Sequence, residues 1–321
     1  MITLQDIRVA KKRLSPYLSP TPILHSDVVD DLVGAHVSFK AESLQLTGSF
    51  KIRGALNALL SLSDDSKTRG VIAYSSGNHG KALAYAGKLL GVRVTLVLSN
   101  TISEQKLTSI RSLGAEVQIY DPVHENRVEV TDRMSKTRGL AIIPPYELAE
   151  VITGQGTCAL EIFEQLKYMP DAIFIPIGGG GLIAGMSIAS KETNPDVEIV
   201  GVEPDTANDQ QISFKIKKRV RIEDKDMNTI CEGLRTNEPG ELAFPYILRN
   251  VDSMITASDK SVRRAMRLIW DELKLVVEPA GALTLASLLE NRELAKSYKS
   301  IVLVVCGDNI SMDDYLVALD G

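Results

Sequence analysis

Lys51 stands in the stretch SFKIRGAL, directly after Phe50 and two residues before Arg53. The run carries Ala55, Leu56, Ala58, Leu59 and Leu60 at helical spacing, so it reads as a helix that Ser49 can cap, with the lysine in its first turn. Taken alone, such a lysine is a solvated helix charge. At the positive end of a helix and beside an aromatic ring, an ammonium is disfavoured and its pKa falls. An amine depressed in this way suits Schiff-base chemistry with a carbonyl.

Three other clusters could serve that amine. Gly178, Gly179, Gly180 and Gly181 follow the apolar run AIFIPI and precede a helical pattern that starts near Leu182. Consecutive glycines let backbone amides converge on a phosphate at a helix start. A rival pattern uses the same residues. Gly179, Gly181 and Ala184 spell G-x-G-x-x-A, and Glu203 closes the next strand about 20 residues on, as in a dinucleotide fold. SSGNHG lies between a strand and a helix, so its free amides form an anion pocket. Within it Ser76 can act as an N-cap, and His79 reads as a packing or hydrogen-bonding residue rather than a base. In EPDTAND, Glu203 and Asp209 offer carboxylates and Ala207 a carbonyl, hard oxygens suited to Mg²⁺ or Ca²⁺, although acidic loops are more often simply solvated. Cys306 ends the apolar strand IVLVVC and, on its own, reads as core.

The elements that must position these groups alternate in type. GVIAYSS (70–76), VRVTLVLS (92–99), AEVQIYD (115–121), DAIFIPI (171–177), VEIVGVEP (197–204) and KSIVLVVCG (299–307) read as short β-branched strands, with helical segments between them. That order means parallel βαβ units: an α/β fold of two doubly wound, open parallel sheets with helices on both faces. The 321 residues are too many for one core. The expected division is a small domain over 65–143 and a large catalytic domain formed by 1–64 and 144–321. Pro144 and Pro145 mark the crossover, since proline can continue neither element.

Composition narrows the class. A net charge of −5 argues against nucleic acid or an acidic membrane as partner. KIKKRVR (215–221) alternates charged with apolar residues and reads as the exposed face of a strand or a connector. Cys158, Cys231 and Cys306 form no C-x-x-C pair, which implies a reducing compartment and no disulfide framework. His25, His36, His79 and His124 form no H-x-x-x-H pair, so no zinc site is expected. No run is apolar enough for a signal peptide or a membrane span, and a cytoplasmic location is expected.

Together, SPTPIL (19–24), TGSFKIRGA (47–55), SSGNHG (75–80), ITGQGT (152–157), GGGGL (178–182) and CGDN (306–309) resemble the serine/threonine dehydratase and serine racemase family. That family belongs to the tryptophan-synthase β-like, fold type II pyridoxal-phosphate enzymes. The resemblance runs nearly end to end. It implies that Lys51, beside Phe50, carries pyridoxal 5'-phosphate, that Gly178 to Leu182 hold the phosphate, that Asn78 meets the phenolic oxygen, and that Cys306 faces the ring nitrogen. It assigns Ser75, Ser76, Gly77, Asn78 and His79 to the substrate carboxylate, with Ser76 across the cofactor from the lysine. Arg127 matches an arginine near the substrate mouth, and CEGLRT (231–236) lines the substrate side with Arg235 and Thr236. Glu203, Ala207 and Asp209 match a divalent-cation site for Mg²⁺, Ca²⁺ or Mn²⁺.

The implied activity is β-elimination of a β-hydroxy amino acid such as L-serine or L-threonine to a 2-oxo acid and ammonia, with possible serine racemase activity. The alternatives are a serine or aspartate racemase, a threo-3-hydroxyaspartate ammonia-lyase and, more distantly, an NAD-binding oxidoreductase. A homodimer is implied. Leu46 replaces the lysine through which racemases of the mammalian type bind ATP, so nucleotide control is not expected. Asp308 replaces a glycine, and its role stays open. The chain stops soon after CGDN, so feedback control of the biosynthetic type is not expected.

Overall fold

The computed structural model describes residues 1–320. Ten strands form two sheets: β1 (Ile23–His25), β2 (His36–Lys40), β3 (Val71–Ala73), β4 (Val94–Ser99), β5 (Glu116–Tyr120), β6 (Ala141–Ile142), β7 (Ala172–Pro176), β8 (Glu198–Pro204), β9 (Ser253–Ala257) and β10 (Ser300–Val304). The larger sheet has the order β1-β2-β10-β7-β8-β9, and the smaller has β5-β4-β3-β6. Every pairing is parallel except that of β1 with β2, an antiparallel edge that the strand–helix alternation does not foretell.

Both sheets are doubly wound. In the larger, β7, β8 and β9 step outward one way and the chain then returns to place β10 on the other side of β7. In the smaller, β3, β4 and β5 do the same before β6 lands beside β3. Connections leave a crevice at the carboxyl ends of the strands where winding reverses. Residues 178–181 follow β7 and Cys306 follows β10. Residues 75–79 follow β3, and Pro144 and Pro145 follow β6. The glycine run, Cys306 and the SSGNHG loop therefore sit at the two reversal points, with the Pro144–Pro145 crossover beside the last.

Burial explains the sheet cover. All five residues of β7 are buried, which requires packing on both faces. In the smaller sheet Val71 and Ala73 join one core and Ile72 another, the period of two expected of a strand with both faces covered. Ile52, Ala55, Leu56 and Leu59 of the helix Lys51–Ser61 pack into the first of these cores.

Four strands escape the sequence reading. β2 carries His36, Ser38 and Lys40, yet Lys40 is fully buried because its ammonium is paired. Lys40 belongs to an internal ion network beneath the Lys51 helix. Arg53 Nε and Nη2 donate to Glu42 at 2.7 and 2.8 Å, and Nη1 and Nη2 donate to Glu161 at 2.6 and 2.7 Å. Lys40 Nζ donates to Glu161 at 2.7 Å. Two cations balance two carboxylates, and the ion pairs and their hydrogen bonds to Arg53 hold the Glu42 carboxyl below its usual pKa despite burial.

One local expectation is corrected. Ser49 does not cap the helix, which begins at Lys51 after Phe50. Its backbone is extended and bridges to Gly307 instead. Of the two readings of residues 215–221, the connector holds: the helix Asp209–Ile216 ends there, and Lys217 turns left-handed with φ 57° before an irregular, partly exposed connector.

Candidate active site

A cavity of about 1040 Å³ opens between the two reversal points. Phe50, Lys51, Ser75, Ser76, Gly77, Asn78, His79, Gly178, Gly179, Gly180, Gly181, Leu182, Arg127 and Cys306 all line it. Glu203, Ala207 and Asp209 do not; they lie behind the glycine loop.

Lys51 is the first residue of its helix, and its Nζ donates to the Pro145 carbonyl at 3.2 Å. The ammonium also lies 5.0 Å from the centre of the Phe50 ring. Burial lowers its pKa to about 8, with the Glu278 carboxylate pulling the other way. Near neutral pH a substantial fraction of such an amine is unprotonated and nucleophilic.

The loop that presents Lys51 is clasped to the chain after β10. The Phe50 amide donates to the Cys306 carbonyl at 3.2 Å, and the Asp308 amide to the Gly48 carbonyl at 2.9 Å. Gly48 has φ 72°, and a side chain there would lie 2.0 Å from Asp308 Oδ1, so both conformation and space call for glycine. Cys306 is buried, and burial with the nearby Glu278 raises its thiol pKa well above the usual value, so it stays uncharged.

The amides of Gly181, Leu182 and Ile183 open the helix Gly181–Thr193 and have no intrahelical acceptors. A Cβ on Gly179 would fall 2.2 Å from the Tyr146 ring, so no side chain can stand between these amides and the cavity. Ser76 and Gly77 are exposed at the start of the helix Asn78–Leu90, where Gly77, not Ser76, holds the cap position. His79 is buried with Nε2 2.8 Å from the Ile143 carbonyl, and burial lowers its pKa to about 3, so the ring is neutral. Asn78 Nδ2 donates to Glu278 Oε1 at 2.7 Å, while Asn78 Oδ1 accepts from Asn309 at 2.6 Å. Arg127 is exposed at the rim, its guanidinium 5.3 Å from the Tyr74 ring centre.

A free anion cradle, a lysine of lowered pKa and an uncharged thiol in one cavity suit a phosphorylated aldehyde. The family of pyridoxal-phosphate dependent enzymes matches residues 14–307. The chain belongs to that family. This decides between the two readings of the glycine run in favour of pyridoxal phosphate. The chain is 38% identical over 320 residues to the L-threo-3-hydroxyaspartate ammonia-lyase of Saccharomyces cerevisiae, covering 99% of this chain and 97% of that one. It is 37% identical to the serine racemase of Dictyostelium discoideum, covering 97% and 96%. Its fold matches the crystal structure of a T.th. threonine deaminase with a TM-score of 0.91 at 38% identity, covering 97% and 99%. The two-sheet fold type II architecture is thereby the one expected.

Behind the glycine loop, Glu203 is buried and accepts from the Gln210 and Gln211 amides at 3.0 and 2.6 Å. Burial and the nearby Asp209 raise its pKa well above the usual range. Asp209 is buried, its Oδ2 has no partner among the described residues, and burial raises its pKa to about 7. Two buried acids without a counter-cation are the setting in which a divalent ion fits. Gln210 Nε2 donates to the Gly178 carbonyl at 2.9 Å, tying this pair to the glycine loop. The two residues expected on the substrate side, Arg235 and Thr236, both line the cavity; Arg235 Nε donates to the Thr229 carbonyl at 2.9 Å, and Thr236 Oγ1 lies 3.5 Å from Asp209 Oδ1.

The sequence reading missed Glu278 and Tyr146, both in the cavity wall. Burial raises the Glu278 pKa to about 7. Before Pro279 it looks like an ordinary carboxylate at a helix start, and nothing local signals that Gly307 after β10 and Asn78 after β3 come against it. No described helix is long and apolar enough to cross a membrane.

Proposed function

We propose that the enzyme is an ammonia-lyase that converts a β-hydroxy amino acid into a 2-oxo acid and ammonia, with L-serine, L-threonine and threo-3-hydroxyaspartate as the substrate class. The activities named for the similar proteins support that class. The observation that carries the reading is the placement of Lys51 with its lowered pKa, the free amides of two loops and the uncharged Cys306 around one cavity.

The cofactor would be held by Lys51, the amides at the start of the Gly181 helix, Asn78 and Cys306, and when bound it supplies an electron sink for the substrate α-carbon. Lys51, freed as substrate amine takes its place, accepts the α-proton, which its lowered pKa permits near neutral pH. The β C–O bond then breaks and the hydroxyl leaves as water, the proton it takes up balancing the one Lys51 accepted from the α-carbon. The released enamine acid takes up water and loses ammonia in solution. A thiol at Cys306 cannot keep a ring nitrogen protonated as a carboxylate could, so electron withdrawal is modest and early loss of the hydroxyl is favoured. Residues 75–79 would bind the α-carboxylate through their amides, with His79 held neutral as a support.

Arg127 favours the dicarboxylic member of the class. It lies at the mouth, and among the described residues no carboxylate forms an ion pair with it, so a β-carboxylate could reach it. Ser76, exposed to the cavity, would be the second proton donor if racemisation occurs. Glu203, Asp209 and the Ala207 carbonyl would hold Mg²⁺, Ca²⁺ or Mn²⁺ and steady the glycine loop through Gln210. The same proposal includes a homodimer, a cytoplasmic setting and the division into 65–143 against 1–64 with 144–321. The four-stranded sheet falls within the first span and all six other strands within the second.

The test is 2-oxo acid release and product chirality over the three substrates, in wild type and Ser76→Ala. Elimination retained with racemisation lost in the variant is expected. Release from none of the three substrates refutes the lyase reading, and equal loss of both reactions removes the role of Ser76.

A further inference from the structure

The four histidines are scattered in sequence, yet the pairing of β1 with β2 brings two of them together at the edge of the larger sheet. His25 ends β1, His36 begins β2, and the helix Asp27–Val33 between them carries Asp30. One ligand atom from each of His25, Asp30 and His36 lies within 4.8 Å of the others. Asp30 Oδ2 is 2.9 Å from His36 Nδ1 and 3.7 Å from His25 Nε2. Asp27 Oδ1 lies 2.9 Å from His25 Nε2 but does not belong to this cluster. Ligands about 2.0–2.1 Å from a tetrahedral zinc stand about 3.4 Å from one another, and the observed spacings bracket that edge.

Val37 fixes both donors. Its amide donates to Asp30 Oδ1 at 2.7 Å, leaving Oδ2 toward the rings. Its carbonyl lies 3.1 Å from His25 Nδ1, so Nδ1 carries the ring proton. In the neutral ring the Nε2 lone pair then faces two carboxylate oxygens. Such an array is relieved only by a positive charge within it, either a second ring proton or a metal ion. A ligating histidine whose other nitrogen donates to a carbonyl is the common outer arrangement of metal sites.

We propose that His25, Asp30 and His36, with water completing the shell, form a Zn²⁺ site that clamps β1 and the helix Asp27–Val33 to β2. Two imidazoles with a carboxylate are a donor set for zinc and its neighbours, not for Mg²⁺, which demands an octahedron of oxygens. The histidine side chains are 38% and 43% exposed, so the ion can enter without unfolding. None of these residues lines the Lys51 cavity.

The experiment is titration of ZnCl₂ into the holoenzyme in saturating Mg²⁺, with His25→Ala and His36→Ala beside wild type. Unchanged cofactor absorbance in the variants checks their fold. Wild type is expected to bind one more zinc equivalent than either variant, with a rise in Tm that both variants lose and at least tenfold weaker binding in each. Co²⁺ in place of zinc should give the intense visible bands of a tetrahedral site in wild type only. Zinc affinity and stoichiometry unchanged in both variants would overturn the site. So would an absence of saturable binding to wild type, which would make the cluster a histidinium–carboxylate network.

Discussion

Burial of the Lys51 amine sets the pH at which an aldehyde can be attached to it. Its pKa falls from 10.5 to about 8 because the cavity withdraws water from the ammonium, more than Glu278 offsets. At about pH 7.5 an amine of pKa 10.5 is neutral in about one molecule in 1000, and one of pKa 8 in about one in four, a gain of roughly 240-fold. The rate at which cofactor-free enzyme takes up pyridoxal phosphate should therefore rise with pH and level off above about 8. The same shift leaves a mark on stability. The unfolded chain keeps this proton up to about 10.5 and the folded chain releases it near 8, so the unfolded state binds more protons between those values. Stability of the cofactor-free enzyme should then rise with pH across that window, by up to about 3 kcal/mol. Stopped-flow absorbance against pH gives the first profile, and urea denaturation of wild type and Lys51→Met gives the second. An uptake midpoint near 10, or a stability profile that Lys51→Met leaves unaltered, would refute burial as the cause.

The remaining expectations concern what supports the site. Arg53→Met removes one cation from a balanced buried network and leaves Glu42 and Glu161 with Lys40 alone, so it should cost about 3–5 kcal/mol in urea denaturation; a loss under about 1 kcal/mol would show that the network relaxes freely. In the proposed cation site, the raised pKa values of Glu203 and Asp209 mean that the folded state holds protons which the unfolded chain gives up. Without a divalent ion, stability should fall as pH rises through about 7, and Mg²⁺ should restore it. A melting temperature indifferent to both chelator and Glu203→Gln would remove the ion from the account.

Much of the site was legible because its residues carry local constraints. The glycines that approach Tyr146, the loop after β3 and the lysine opening an amphipathic helix each leave a signature within a few residues. The strands β3, β4, β5, β7, β8 and β10 were equally legible, since buried parallel strands are short β-branched runs. What stayed hidden depends on pairings between distant segments. Lys40 looks too polar for a core strand until Glu161, 121 residues away, is set against it. Glu278 looks like a helix-start carboxylate until Asn78, 200 residues away, meets it. His25 and His36 show no metal spacing until an antiparallel edge aligns them. Ser49 was misread because a serine before a helix usually caps it, whereas here the Gly307 bridge claims its backbone.

The central claim is a covalent bond between one amine and the cofactor aldehyde, and borohydride reduction of the holoenzyme followed by peptide mass spectrometry tests it most directly. The account predicts a single reduced pyridoxyl adduct on Lys51, absent in Lys51→Ala. An adduct on another lysine, or none at all, would contradict it.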